Sequence, residues 1–212
     1  MINFLVSDHD EAKELRSKFV FKIVPMMNPD GVVLGNSRAS LLGCDLNRRW
    51  MRPSKHLHPE VYYTKSILKY LNKKLAEPEV KAGGVLAFID LHGNHKANDM
   101  FLYACQVDKD FSFYESNQIV RALPDGVDRL LPIFNTGRCR FSSEPEKMET
   151  ARLVALRELK IWCSYTLECS YNGSELLRKI KPLYEKIYSK SYVEEVTDKY
   201  LIGQQRPDIY FD

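Results

Sequence analysis

The stretch from Asn28 to Trp50, NPDGVVLGNSRASLLGCDLNRRW, constrains this chain most tightly. Ahead of it, Phe19-Val20-Phe21-Lys22-Ile23-Val24-Pro25-Met26-Met27 is rich in branched and aromatic residues and predicts a buried strand over 19–27. Asn28-Pro29-Asp30-Gly31 predicts a turn, because proline presets φ and glycine tolerates a positive φ. The chain then enters a polar loop carrying Arg38, Asn47, Arg48 and Arg49. A strand that empties into such a loop is a usual place for a site in an α/β protein. Arginine forks suit carboxylates or phosphates, and asparagine adds a neutral donor beside them. Taken alone, the same residues fit a solvated basic loop equally well.

The 212 residues suit one domain with a real core, and 44% hydrophobic with 28% charged residues is neither a disordered nor a membrane composition. No apolar run approaches the roughly 18 residues of a membrane span. Residues 1–8, MINFLVSD, lack the basic and long apolar regions of a signal peptide. A formal net charge of +3 without a basic block argues against nucleic acid as a partner. The five cysteines are odd in number and form no Cys-x-x-Cys pair, which points to free thiols in a reducing cytoplasm.

Along the chain, residues 1–16 read as the end of a helix. Pro59 opens a second helical pattern in which Val61, Ile67, Leu68, Leu71 and Leu75 recur near helical spacing. Val85 to Leu91 predicts an apolar strand running into His92-Gly93-Asn94-His95, and Asp99 to Cys105 a further strand. A short helix is expected over 109–124 and a loop over 125–137. Two strands are expected at Ala151–Ala155 and Ile161–Cys169, then a helix over about 174–188 and a tail over 189–212. Strands alternating with helices make the fold α/β, with a mixed sheet flanked by helices in a single domain over 1–188. His92 and Glu168 each end a strand; such residues are usually structural histidines and solvated edge charges.

Three segments together resemble the M14 metallocarboxypeptidases, and in particular their cytosolic branch. They are Ile23 to Val32 with Gly35-Asn36-Ser37-Arg38, then Asp45-Leu46-Asn47-Arg48, then Asp90-Leu91-His92-Gly93 followed by Met100 to Cys105. The resemblance implies a zinc-dependent enzyme that removes C-terminal residues from peptides. It implies that Asn47 and Arg48 clamp the terminal carboxylate and that Arg38 polarises the scissile carbonyl. His92 becomes a Zn²⁺ ligand, with Asp90 as the carboxylate behind it. Glu168 becomes the general base, and its apolar neighbours Ile161, Trp162 and Leu167 are expected to raise its pKa. The branch carries a second histidine where Asn94 stands here, and His95 comes one position later. Arg138-Cys139-Arg140-Phe141 and Thr150-Ala151-Arg152-Leu153 also resemble the branch. They imply that Arg152 and Arg140 recognise glutamate side chains on acidic tails such as those of tubulin. The bland reading is that basic residues protect sheet edges.

The family also uses a His-x-x-Glu pair ahead of these segments. None of His9, His56, His58, His92 and His95 is followed by glutamate three positions on, and His58-Pro59-Glu60 is too tightly spaced. The expectation is therefore a catalytic domain incomplete at its N-terminus, with one zinc ligand in this chain and two elsewhere. Two rival readings are a metal-free module that binds acidic tails and a zinc deacylase of N-acyl amino acids.

Overall fold

The computed structural model describes residues 1–77, 84–105, 113–176, 178 and 179, with side chains left aside at 113–117. They belong to two compact units, Met1–Cys44 and Asp45 onward. The expected tail over 189–212 and most of the expected helix over 174–188 lie outside the described residues.

The first unit holds α1 (Ile2–Leu5), α2 (Asp10–Lys18) and α3 (Pro29–Val33). The strand expected over 19–27 does not form. Phe19 has extended dihedrals (φ −132°, ψ 143°), but the segment has no ladder partner among the described residues, and Val20 is 83% exposed. An apolar run becomes a strand only when a neighbour takes up its backbone donors and acceptors. The following turn is a short helix instead. The Asn28 carboxamide accepts from Gly31 N at 3.1 Å and donates to Ala39 O at 3.1 Å. Gly31 is needed here for space rather than for its dihedral, since a Cβ would stand 2.7 Å from Ala39 O.

The second unit is built on a three-stranded sheet. Its strands are β1 (Ala87–Asn94), β2 (Met100–Tyr103) and β3 (Cys163–Ser170), in the order β1-β3-β2. β3 is parallel to β1 and antiparallel to β2. Helices α4 (Pro59–Leu75), α5 (Phe113–Leu130) and α6 (Ala151–Leu159) complete the unit. The core gathers Phe101, Leu102, Phe134 and Tyr165 in one cluster, and Ala155, Leu159 and Ile161 with Leu68, Val85 and Phe88 in another.

Two expectations give way here. Ala151–Ala155 is the start of α6, not a strand, and α5 continues through Pro124 into the expected loop. In α6, seven of nine residues are buried, so the run is apolar around most of its circumference. Such a helix shows no stripe and reads like a strand. Lys160 ends it in the left-handed region at φ 56°.

Helix α4 carries Pro59 at its first position and Lys73 and Lys74 in its last turn, as helix geometry and dipole favour. It also positions the site. Lys65 Nζ donates to the carbonyls of Trp50 (2.8 Å) and Met51 (3.0 Å) and pairs with Glu158 of α6 at 2.6 Å. Asn72 donates to Leu159 O at 2.7 Å and accepts from Val85 N at 2.9 Å. The loop after Arg49, the end of α6 and the approach to β1 are thereby tied to one helix.

Candidate active site

Side chains two apart along a strand share a face. On β1 that rule sets Asp90, His92 and Asn94 together, and each is half-buried while the alternating Ile89, Leu91 and Gly93 are exposed. The register with β3 pairs Asp90 with Thr166 and His92 with Glu168. Thr166 and Glu168 are buried. Two strands thus present a histidine and three carboxylate or amide groups on one face.

The polar contacts follow from this register. His92 Nε2 lies 2.9 Å from Asp90 Oδ2, and its Nδ1 lies 3.7 Å from Glu168 Oε1. Asn94 Nδ2 donates to Glu168 Oε2 at 3.0 Å. Asn47 enters from a 3-10 turn, Leu46–Arg48, that Asp45 caps by accepting from Asn47 N at 2.9 Å. Its Nδ2 is 3.4 Å from both Asp90 Oδ2 and His92 Nε2. Its Oδ1 accepts from Ala151 N at 2.8 Å, so the same side chain caps α6. Arg48 is half-buried, with its guanidinium 3.0 Å from Asn47 O and 3.8 Å from the Asp45 carboxylate.

Arg152 projects from α6 and is 6% exposed. Its guanidinium donates to Ala104 O and lies over the Tyr103 ring at 5.7 Å, while its Nε is buried without a hydrogen-bond partner. Arg140 is exposed and donates to the carbonyls of Gly137 and Cys139, and an isolated bridge joins it to Tyr103. Arg38 belongs to the Met1–Cys44 unit, where it is exposed and its backbone N–H donates to Asn36 Oδ1 at 3.1 Å. Of the residues singled out in the sequence, the structure brings Asn47, Asp90, His92 and Glu168 into one cluster, with Arg48 adjoining it. His95 is exposed and takes no part in it.

The hydrogen bond from His92 to Asp90 and the nearby Glu168 carboxylate raise the imidazole pKa to about 10, against burial. For Glu168, burial pushes upward as the sequence suggested. The nearby His92 imidazole, the hydrogen bond from Asn94 and the charge of Arg152 outweigh it and hold the carboxyl below its usual range. Desolvation lowers the pKa of Arg152.

The donor chemistry at His92 fits one zinc ligand: Asp90 holds Nε2, and Nδ1 faces the cluster. A tetrahedral catalytic site normally takes three protein ligands. Among the described residues no group of three or more His, Cys, Asp or Glu is arranged to hold a metal. This cluster therefore offers one ligand position.

Asn94 was not singled out as a functional residue in the sequence. Its signal was present there, as the residue standing where the resembled branch has histidine.

The zinc carboxypeptidase family model of peptidase M14 matches residues 1–122. The chain belongs to that family. Among similar proteins, cytosolic carboxypeptidase 4 of Mus musculus is 40% identical over 181 residues, covering 81% of this chain and 16% of the mouse protein. Cytosolic carboxypeptidase 1 of Xenopus laevis is 35% identical over 214 residues, covering 97% of this chain and 17% of the frog protein. The chain thus spans about a sixth of these relatives' length. The crystal structure of a metallo-carboxypeptidase from Burkholderia cenocepacia superposes with a TM-score of 0.66 at 25% identity, covering 80% of this chain and 42% of that one. The mixed sheet flanked by helices is accordingly a zinc-carboxypeptidase fold. Among the described residues no helix is long and apolar enough to cross a membrane.

Proposed function

We propose that this chain carries the base and carboxylate-binding part of a cytoplasmic metallocarboxypeptidase, which trims glutamate-rich protein C-termini such as tubulin tails. The observation that carries this reading is the cross-strand pair of His92 and Glu168, with Asn47 in contact with His92. Zinc, when bound at His92 and ligands outside this cluster, supplies Lewis-acid polarisation and an acidified water.

The remaining roles fall to the chain's own side chains. Glu168 is buried, held ionised, and accepts a proton from water before returning it to the leaving amine. Asn47 and the Arg48 fork bind the terminal carboxylate. Arg152 is a desolvated cation with an unmet Nε donor, and with Arg140 it favours a terminal glutamate side chain. A deep cation pairs strongly with an incoming carboxylate because little water screens it.

The test takes a form extended upstream to carry a His-x-x-Glu pair, adds zinc and incubates it with peptides ending in glutamate, in leucine and in a C-terminal amide, followed by mass spectrometry and a binding titration. Stepwise loss of terminal glutamates, with the amidated peptide resistant, is expected. Binding that discriminates the amide without any cleavage would leave only a tail-binding module. Indifference to amidation in both measurements would overturn the reading.

A further inference from the structure

Asn94 is fastened at one end of its carboxamide. Its Oδ1 accepts from Lys96 N at 2.8 Å and from Ala97 N at 2.9 Å, closing the turn that leaves β1. Its backbone carbonyl accepts from Tyr171 N at 2.8 Å, just beyond the end of β3. Two backbone donors on the oxygen fix which way the amide points. The Nδ2 group is left to donate, and it donates to Glu168 Oε2 at 3.0 Å. Glu168 Oε1 is then the oxygen that faces His92, at 3.7 Å.

We infer that Asn94 is a positioning residue for Glu168: its turn-locked amide holds one carboxylate oxygen so that the other is presented beside His92. This rests on the reading of Glu168 as the base. A side chain anchored by the turn loses little freedom when it makes this bond, and a carboxylate held at one oxygen has few rotamers left. The histidine that the resembled branch carries here has no carboxamide oxygen to close the same turn.

Asn94→Asp separates the two jobs. Aspartate keeps an acceptor for Lys96 and Ala97 but sets a carboxylate against Glu168. Glu168→Gln then gives the position a donor, so the double variant restores the bond with its polarity reversed. Urea unfolding of the metal-free protein is expected to show a lower midpoint for Asn94→Asp and most of that loss recovered in Asn94→Asp/Glu168→Gln. Additive effects would overturn the inference, because a residue that only closes the turn has no reason to couple to Glu168. In a zinc-loaded form extended upstream to carry a His-x-x-Glu pair, Asn94→Asp is expected to lower kcat at least about tenfold with KM little changed. Coupling in urea with unchanged kcat would show a bond that does not position the base, and would also overturn it while leaving the wider reading intact. Full turnover in Glu168→Gln would instead remove Glu168 as the base, and this inference with it.

Discussion

His92 on β1 and Glu168 on β3 are register partners across two parallel strands, and Nδ1 of one lies 3.7 Å from Oε1 of the other. The separation is set by the sheet, so neither side chain depends on a mobile loop for its place. The proposed base and the candidate metal ligand held this way are pre-organised, which is what proton transfer at a bound water requires.

In a form extended upstream to carry a His-x-x-Glu pair, replacing Glu168 by glutamine is expected to keep zinc and peptide affinity and lower turnover at least about 10²-fold, since an amide cannot accept the proton. Steady-state kinetics with a glutamate-ended peptide read this directly. A variant retaining most of its activity would make Glu168 a structural residue.

Asn47 caps α6 from a position 104 residues away in the chain, which makes it structural as well as functional. Asn47→Ala is expected to destabilise the protein by about 0.5–2 kcal/mol, as loss of a helix cap does. Asn47→Asp, which retains an acceptor for Ala151 N, is expected to lose less. Equal midpoints for the wild type and Asn47→Ala in chemical denaturation would show that the cap contributes nothing.

Arg48 and Arg152 are expected to act on different parts of a peptide. Arg48→Ala should weaken every free-ended peptide alike, by about 1–3 kcal/mol for an abandoned hydrogen bond to a charged group. Arg152→Met, which keeps much of the buried volume, should penalise glutamate-ended peptides and spare leucine-ended ones. Calorimetric titration of both peptides against each variant decides it. A uniform loss with Arg152→Met would end the acidic-pocket claim and leave the carboxylate clamp.

Burial pushes the Cys105 thiol up to about 11, against the charges of Arg152 and Arg157. At pH 8 about a thousandth of it is thiolate, and the thiolate is the reactive form. In the native protein Cys105 is expected to be labelled by a thiol reagent well after half-buried Cys44. Rising pH should speed its labelling, as deprotonation follows the raised pKa. Labelling of Cys105 as fast as Cys44, read by peptide mass mapping, would mean that the core opens there.

Much of the site-bearing sheet was legible in the sequence. Val85–Leu91 and Ile161–Cys169 announced β1 and β3 through apolar, branched runs, and α4 through its spaced Val61, Leu68 and Leu75. What escaped was settled by distant partners. Nothing local tells Leu153 and Val154 that they face packing on all sides, so α6 read as a strand. Nothing local tells Val20 and Phe21 that no strand among the described residues stands beside them. The contact of Asn47 with Ala151 and the lowered pKa of Glu168 are likewise long-range facts, the first a matter of tertiary closure and the second of a balance between burial and hydrogen bonds.

The parallel pairing of β1 with β3 also fixes when the site comes into being. Antiparallel neighbours can zip from a tight turn, but these two strands are joined through β2, α5 and α6, and Asn94 meets Glu168 across 74 positions of chain. Contacts so remote in sequence form late, after much of the intervening chain has been ordered. A chain still emerging from the ribosome holds Asp90 and His92 long before Glu168 has been made. The pairing of His92 with Glu168 is therefore a property of the finished fold, and an unfinished copy does not yet hold the base proposed above.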